Sequence, residues 1–255
     1  MKREEYYNRP EWSFSQMKVI LDSGIGYAVA AKRGMLPAPA GKSLDLGQLA
    51  HMFVLGGEAK DFEVSPYETF RTKEAREWRD SVVKEGKTII DHAQYAAISS
   101  IVDNTEAHPM SQKLLKGKQV KHEVELFATA SGVKLRGKAD AILVDGDSLI
   151  ITDIKTTAKF DEWKYWAFRR HYDLQAAVYS LIGSAATKVS PAFCNFYFCV
   201  VETVFPYRVQ YHHASLEFLE NGERKLHQCL EAIKAFGDKE PNFLIEDINE
   251  LGDFS

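Results

Sequence analysis

Residues 137–157 read GKADAILVDGDSLIITDIKTT. Two runs rich in Ile, Leu and Val flank Asp145, Gly146 and Asp147, a turn composition, so the segment predicts an antiparallel strand pair. Side chains alternate along a strand, which sets Asp153 and Lys155 on one face and sends Ile154 into the core. Asp140 ends the GKAD stretch on the partner strand, so the two carboxylates can converge on one point.

The surroundings extend this reading. KHEVELFATA, from Lys121, alternates like a half-buried strand and completes a three-strand meander, with Glu123 able to supply a third acid. A helix over roughly residues 162–183 follows, then two strands within AFCNFYFCVVE and PYRVQYHH, and a closing amphipathic helix in SLEFLENGERKLHQCLEAIKAF. The first half is mainly helical. SFSQMKVILDSGIGYAVAAKRG has Ser13 or Ser15 as its N-cap and pauses near Gly24 and Gly26; PAPAGKS (37–43) is a loop; LDLGQLAHMFVLGG is again helical and ends at Gly56 and Gly57. Residues 72–101 are charged and partly helical, without a sharp motif.

At 255 residues and 45% hydrophobic content the chain can bury one sizeable core, so a single unit is expected. Three cysteines without CxxC pairing argue against a disulfide framework or a thiolate metal cluster. No stretch has the length of a membrane span, and the N-terminus lacks the apolar region of a signal peptide. A soluble cytoplasmic protein is expected, with no membrane partner. Net charge is −4, yet seven basic residues against two acids lie between Lys113 and Lys138, and Lys164, Arg169, Arg170 and His171 form a second basic group. Such clusters are either solvated surface or the footprint of a polyanion.

Acid-x-Lys on a strand is most simply a surface ion pair worth about 0–1 kcal/mol. Three acids around one lysine are harder to explain that way, because their repulsion calls for a cation. Oxygen ligands of this kind suit Mg²⁺ or Mn²⁺. A neighbouring lysine can orient a water or offset charge on a phosphate.

The ordered set of Glu123, GKAD, DIKTT and a helix carrying QAAVY resembles the PD-(D/E)XK nuclease signature with the QxxxY motif of RecB-type and CRISPR-associated nucleases. With SFSQMKVILDSG, LGQLAHMFVL and YFCVVETVFPYRV added, most of the chain resembles the RecE-type (exonuclease VIII) domain of phages and prophages. One departure is Asp153, where many relatives have glutamate.

The resemblance implies an α/β restriction-endonuclease-like core sheet flanked by helices, with an N-terminal helical elaboration. A single exonuclease domain would span 1–255, with 1–119 mainly helical, 120–212 carrying the catalytic strands and helix, and 213–255 the C-terminal helix and tail. It implies that Asp140 and Asp153 ligate Mg²⁺, with Mn²⁺ able to substitute, that Lys155 is the catalytic lysine and that Glu123 is an additional acid. His51 matches a helix histidine that reaches the metal in related nucleases, while the residues alone leave a packed core histidine open. Tyr172, Gln175 and Tyr179, on one helix face, would touch DNA or support the ligands, and Arg136 and Lys138 belong to the basic stretch offered to DNA. The activity implied is 5′ to 3′ exonucleolytic digestion of duplex DNA ends in phage-type homologous recombination. A ring-shaped homo-oligomer, a tetramer by preference, and a single-strand annealing protein are the implied partners in a bacterial host cell. Rival readings are an endonuclease or single-strand exonuclease of the same fold, a non-catalytic DNA-binding module, and a phosphatase of small sugar phosphates or nucleotides.

Overall fold

The computed structural model describes residues 9–36, 46–56 and 62–241. The expected loop at 37–43 and Gly57 lie outside them. Strand β1 (Trp12–Ser13) leads into helices α1 (Phe14–Ser23) and α2 (Ile25–Lys32), and α3 (Leu46–Val54) follows. Ser13 is the N-cap of α1, sharing a capping box with Gln16. The pause expected near Gly24 is real: this residue has φ 85° and separates α1 from α2.

Strands β2 (Phe62–Val64) and β3 (Thr88–Ile90) pair in parallel around α4 (Lys73–Lys84), and α5 (His92–Ala107) and α6 (Pro109–Leu114) complete the first half. This small sheet is absent from the sequence reading, since three-residue strands are too short for a period to show.

The main sheet then forms from β4 (Lys121–Ala130), β5 (Val133–Asp145) and β6 (Ser148–Thr157), joined by β7 (Cys194–Glu202) and β8 (Val209–His213). It is mixed: β6 and β7 run parallel, the other main pairs antiparallel, and β1 adds to β5 in parallel. The β6–β7 crossover holds α7 (Trp163–Arg169) and α8 (Tyr172–Thr187) where one helix was expected. His171, at φ 56°, sits in the left-handed region between them and breaks the run. Helix α9 (Leu216–Phe236) closes the chain.

Both sheet faces are covered. On one, Ile151, Phe196 and Phe198 pack with Leu174, Val178 and Ile182 of α8; on the other, Ile154, Cys199 and Val201 pack with Ala50 and Val54 of α3. Helices therefore flank a mixed α/β sheet as the nuclease-like fold requires. Long β5 carries β4 along one edge. Its other edge is shared, β1 taking residues 135–136 and β6 residues 141–145, which leaves a gap between them.

Two glycines fix how close the helices come. A Cβ on Gly137 would lie 2.6 Å from Ile182 Cδ1, so the glycine of GKAD admits α8 against β5. A Cβ on Gly222 of α9 would lie 2.0 Å from the backbone oxygen of Asp173 on α8. Beside that contact the buried Asp173 carboxylate accepts from Lys225 at 2.7 and 2.9 Å and from Asn221. Gly222→Ala must push α9 off α8 and should lower stability by about 1–3 kcal/mol, read as a fall in the urea midpoint; an unchanged midpoint would refute this packing.

Candidate active site

The β5–β6 ladder ends at the pair Ala141 and Thr152. One residue on, Asp140 and Asp153 face each other where the strands part. The amide of Ile154 finds no ladder partner on β5 and donates instead to Asp140 Oδ2 at 2.7 Å. Alternation along β5 also breaks here. Ala139 joins the core under α8, whereas Ala141, two residues on, joins the core under α3. Opposite, Glu123 takes φ 52° and the β4–β5 register omits the Glu123–Asp140 pair. Such local distortion re-aims side chains at the end of a pairing.

His51 on α3 places Nε2 3.0 Å from the same Asp140 oxygen. Burial pulls its pKa down, but the Asp140 hydrogen bond and the charges of Asp140 and Asp153 outweigh it and raise the value. Asp153 is 4% exposed, not the open strand-end acid that alternation alone suggests, because β7 and α8 enclose it. Its Oδ1 accepts from Gln175 Nε2 at 2.7 Å. Its Oδ2 makes an ion pair with Lys155 Nζ at 2.5 Å, yet this buried oxygen has no partner in hydrogen-bonding geometry. Burial, then the Asp140 charge, raise the Asp153 pKa to about 6 against the pull of Lys155. Burial would lower the pKa of Lys155, but Asp153 above all, with Tyr172 and Asp140, raises it, so the ammonium stays charged. Tyr172 lies under it, its ring centroid 4.6 Å from Nζ.

The sequence-derived residues thus separate into two groups. Asp140, Asp153, Lys155, His51, Gln175 and Tyr172 meet at the fork. Glu123 does not: it is exposed and pairs with Lys138 at 2.5 Å on the wall of the cleft. The left-handed backbone at Glu123 turns its carboxylate away from the aspartates. Gln175, expected to touch DNA or to support the ligands, is 4% exposed and donates to Asp153. Tyr179 bonds the backbone of Lys138, donating to its carbonyl at 3.2 Å and accepting from its amide at 3.3 Å, which steadies β5 two residues before Asp140. Arg136 is 2% exposed yet borders the cleft, with the Glu11 carboxylate attracting it and the Lys32 ammonium opposing it.

The donor set fits a hard dication. Two carboxylates approach across the fork, and one buried oxygen lacks a hydrogen-bonding partner. Among the described residues no three His, Cys, Asp or Glu side chains gather closely enough to hold a metal by themselves. Backbone or water oxygens would have to complete the shell. The fork opens into a cleft of about 1800 Å³ whose walls include Ser15, His51, Lys138, Lys159, Trp166 and Arg170. Of the residues at the fork, Asp140 and His51 line this space, which is long enough to take part of a polymer.

Comparison with known proteins agrees with this geometry. Residues 13–242 match the family described as a PDDEXK-like domain of unknown function (DUF3799). A crystal structure from Eubacterium rectale, described as a candidate exonuclease, superposes with TM-score 0.62 at 16% identity, covering 100% of this chain and 96% of that one. At that identity it shows the shared fold alone. A second solved chain, SSO0001, aligns over 77% of this chain and 88% of its own at 17% identity with TM-score 0.32 and carries no argument. No curated protein matches the sequence.

The Asp153 pKa, raised from 3.8 to about 6 in the fold, has a thermodynamic consequence. The folded state binds the extra proton, so this group contributes stability below about pH 4 that is lost as pH rises through about 6. Asp153→Asn removes that loss. In chelator the variant should gain stability on the wild type as pH rises from about 4 to about 7. Paired thermal melts across this range check it, and a difference independent of pH would contradict the buried anionic assignment.

Proposed function

The chain belongs to the PDDEXK-like family, and on that premise we propose that it is a Mg²⁺-dependent deoxyribonuclease, with Mn²⁺ able to substitute, that digests one strand of linear duplex DNA from 5′ to 3′. The observation that carries this reading is the meeting of Asp140, Asp153 and Lys155 at the β5–β6 fork, where Asp140 and His51 border a long open cleft.

Asp140 and Asp153 would hold the ion. When bound, it would lower the pKa of a coordinated water and polarise a phosphate oxygen. Lys155, whose charge Asp153 favours, orients a water or offsets charge on the phosphate. Gln175 fixes the Asp153 carboxylate, and the Ile154 amide fixes that of Asp140. His51 either joins the metal shell or orients Asp140 from behind. Arg170 on the cleft wall, with Lys138 and Lys159 once they exchange Glu123 and Glu162 for phosphate, would supply positive charge for the backbone of DNA.

The RecE-type resemblance extends the proposal to a role in phage-type homologous recombination in the bacterial cytoplasm, beside a single-strand annealing protein and within a ring-shaped homo-oligomer, a tetramer by preference. Only a free end can thread a closed ring, so linear duplex should be digested and covalently closed circles left intact.

Linear, nicked and closed-circular duplex incubated with Mg²⁺ test the activity, with strand polarity read from end-labelled duplex. Asp140→Ala and Asp153→Ala should abolish digestion, and Lys155→Ala should slow it by about 10²–10³-fold. Cleaved circles would replace the exonuclease reading with an endonuclease. Unaltered rates in the aspartate variants would refute the site.

A further inference from the structure

Beyond the fork, the strand bearing Asp153 and Lys155 runs into a segment, KFDEWKYWAFRR (159–170), that interleaves aromatic and basic residues. Trp166 from this segment forms part of the cleft wall together with Lys159 and Arg170. Lys159 Nζ and Arg170 Cζ each lie 5.5 Å from the Trp166 ring. The indole N–H is already used, donating to Glu162 Oε2 at 2.9 Å. The same Glu162 oxygen pairs with Lys159 Nζ at 3.3 Å, so Trp166 has no polar group left to offer and presents to the cleft aromatic surface flanked by Arg170 and by a Lys159–Glu162 pair.

An exposed aromatic also stands on the adjoining loop between β7 and β8. Phe205 is 84% exposed and Val204 45%. The loop that carries them is braced. Arg208 bonds Glu202 at 2.8 Å and Asp161 at 3.0 and 3.1 Å, and Asn104 donates to the carbonyls of Pro206 and Tyr207. The Thr203 amide donates to Thr157 O at 2.9 Å, which ties the loop to the end of the Lys155 strand.

We propose that Trp166, with Lys159 and Arg170 beside it and Phe205 on the neighbouring loop, forms a stacking site for unpaired nucleobases of a single-stranded DNA segment in the cleft. This inference rests on the nuclease reading and names the form of substrate the wall receives. Bases within a duplex are stacked on their neighbours and closed to an indole, whereas an unpaired base offers a free π-face to an aromatic side chain. The flanking cations suit the phosphates that follow each base. Lys159 lies at most about 14 Å of extended chain from Lys155, roughly four nucleotides of stacked strand at about 3.4 Å each. The wall thus engages the strand a few nucleotides from the scissile bond.

The test compares 5′-fluorescein-labelled (dT)₂₀ with an abasic oligomer of equal length, which keeps every phosphate and lacks every base, by anisotropy in Ca²⁺. The wild type should bind (dT)₂₀ at least about tenfold more tightly than the abasic strand, since each stacked base is worth a factor of roughly five or more. Trp166→Ala should collapse most of that difference while leaving abasic affinity unchanged, Trp166→Phe should restore much of it, and Phe205→Ala should reduce it. Equal base preference in wild type, Trp166→Ala and Phe205→Ala, in a protein that digests DNA, would overturn the stacking site alone. A wild type that neither binds nor digests DNA would overturn the nuclease reading and this inference with it. Should Trp166→Ala fail to fold, tryptophan quenching by (dT)₂₀ in the wild type against Trp166→Phe decides: quenching lost in the variant supports the site, and identical quenching removes it.

Discussion

The parting of β5 from β6 after Ala141 and Thr152 is the constraint on which the rest of the site depends. A ladder that continued would satisfy the Ile154 amide with a backbone carbonyl and close the sheet over the place where the acids meet. Ending it leaves a buried donor, and an unsatisfied buried donor costs about 1–3 kcal/mol. The Asp140 carboxylate accepts that donor, so one side chain both ends the pairing and is held in position by it. The distortion at Glu123 and the loss of alternation in β5 belong to the same local event.

On the other side of the fork the structure holds a carboxylate where desolvation opposes its charge. Gln175 and Lys155 stabilise the Asp153 anion, but burial and the nearby Asp140 leave its pKa near 6. A site in this state is poorly satisfied by protein groups alone and gains from a dication. The helix packing behind it serves the same end: Gly137 lets α8 approach the sheet, Gly222 lets α9 approach α8, and Gln175 on α8 then reaches Asp153.

Much of this was legible in the chain. Strand alternation together with an Asp-Gly-Asp turn placed Asp140 opposite Asp153, and the helical spacing of Tyr172, Gln175 and Tyr179 placed them on one face. Burial was less legible, because a strand's period does not reveal whether its polar face is covered by another strand and helix; Asp153 and Gln175 are therefore more buried than their spacing suggests. Glu123 alternates correctly in sequence, but its backbone takes φ 52° and its carboxylate pairs with Lys138. The break at His171 has no sequence signal of the usual kind, since neither Gly nor Pro marks it. The aromatic and basic interleaving of residues 159–170 was visible, but its meaning depends on Trp166 reaching the cleft, which is a fact of the fold.

The central claim is that the β5–β6 fork is a cation site built by Asp140 and Asp153. Anomalous diffraction from crystals equilibrated with Mn²⁺ tests it most directly. The account predicts a peak between the two carboxylates, with Lys155 displaced from Asp153 Oδ2 and the peak absent in Asp153→Asn. A well-ordered fork without Mn²⁺, its Lys155–Asp153 pair intact at saturating ion, would contradict it.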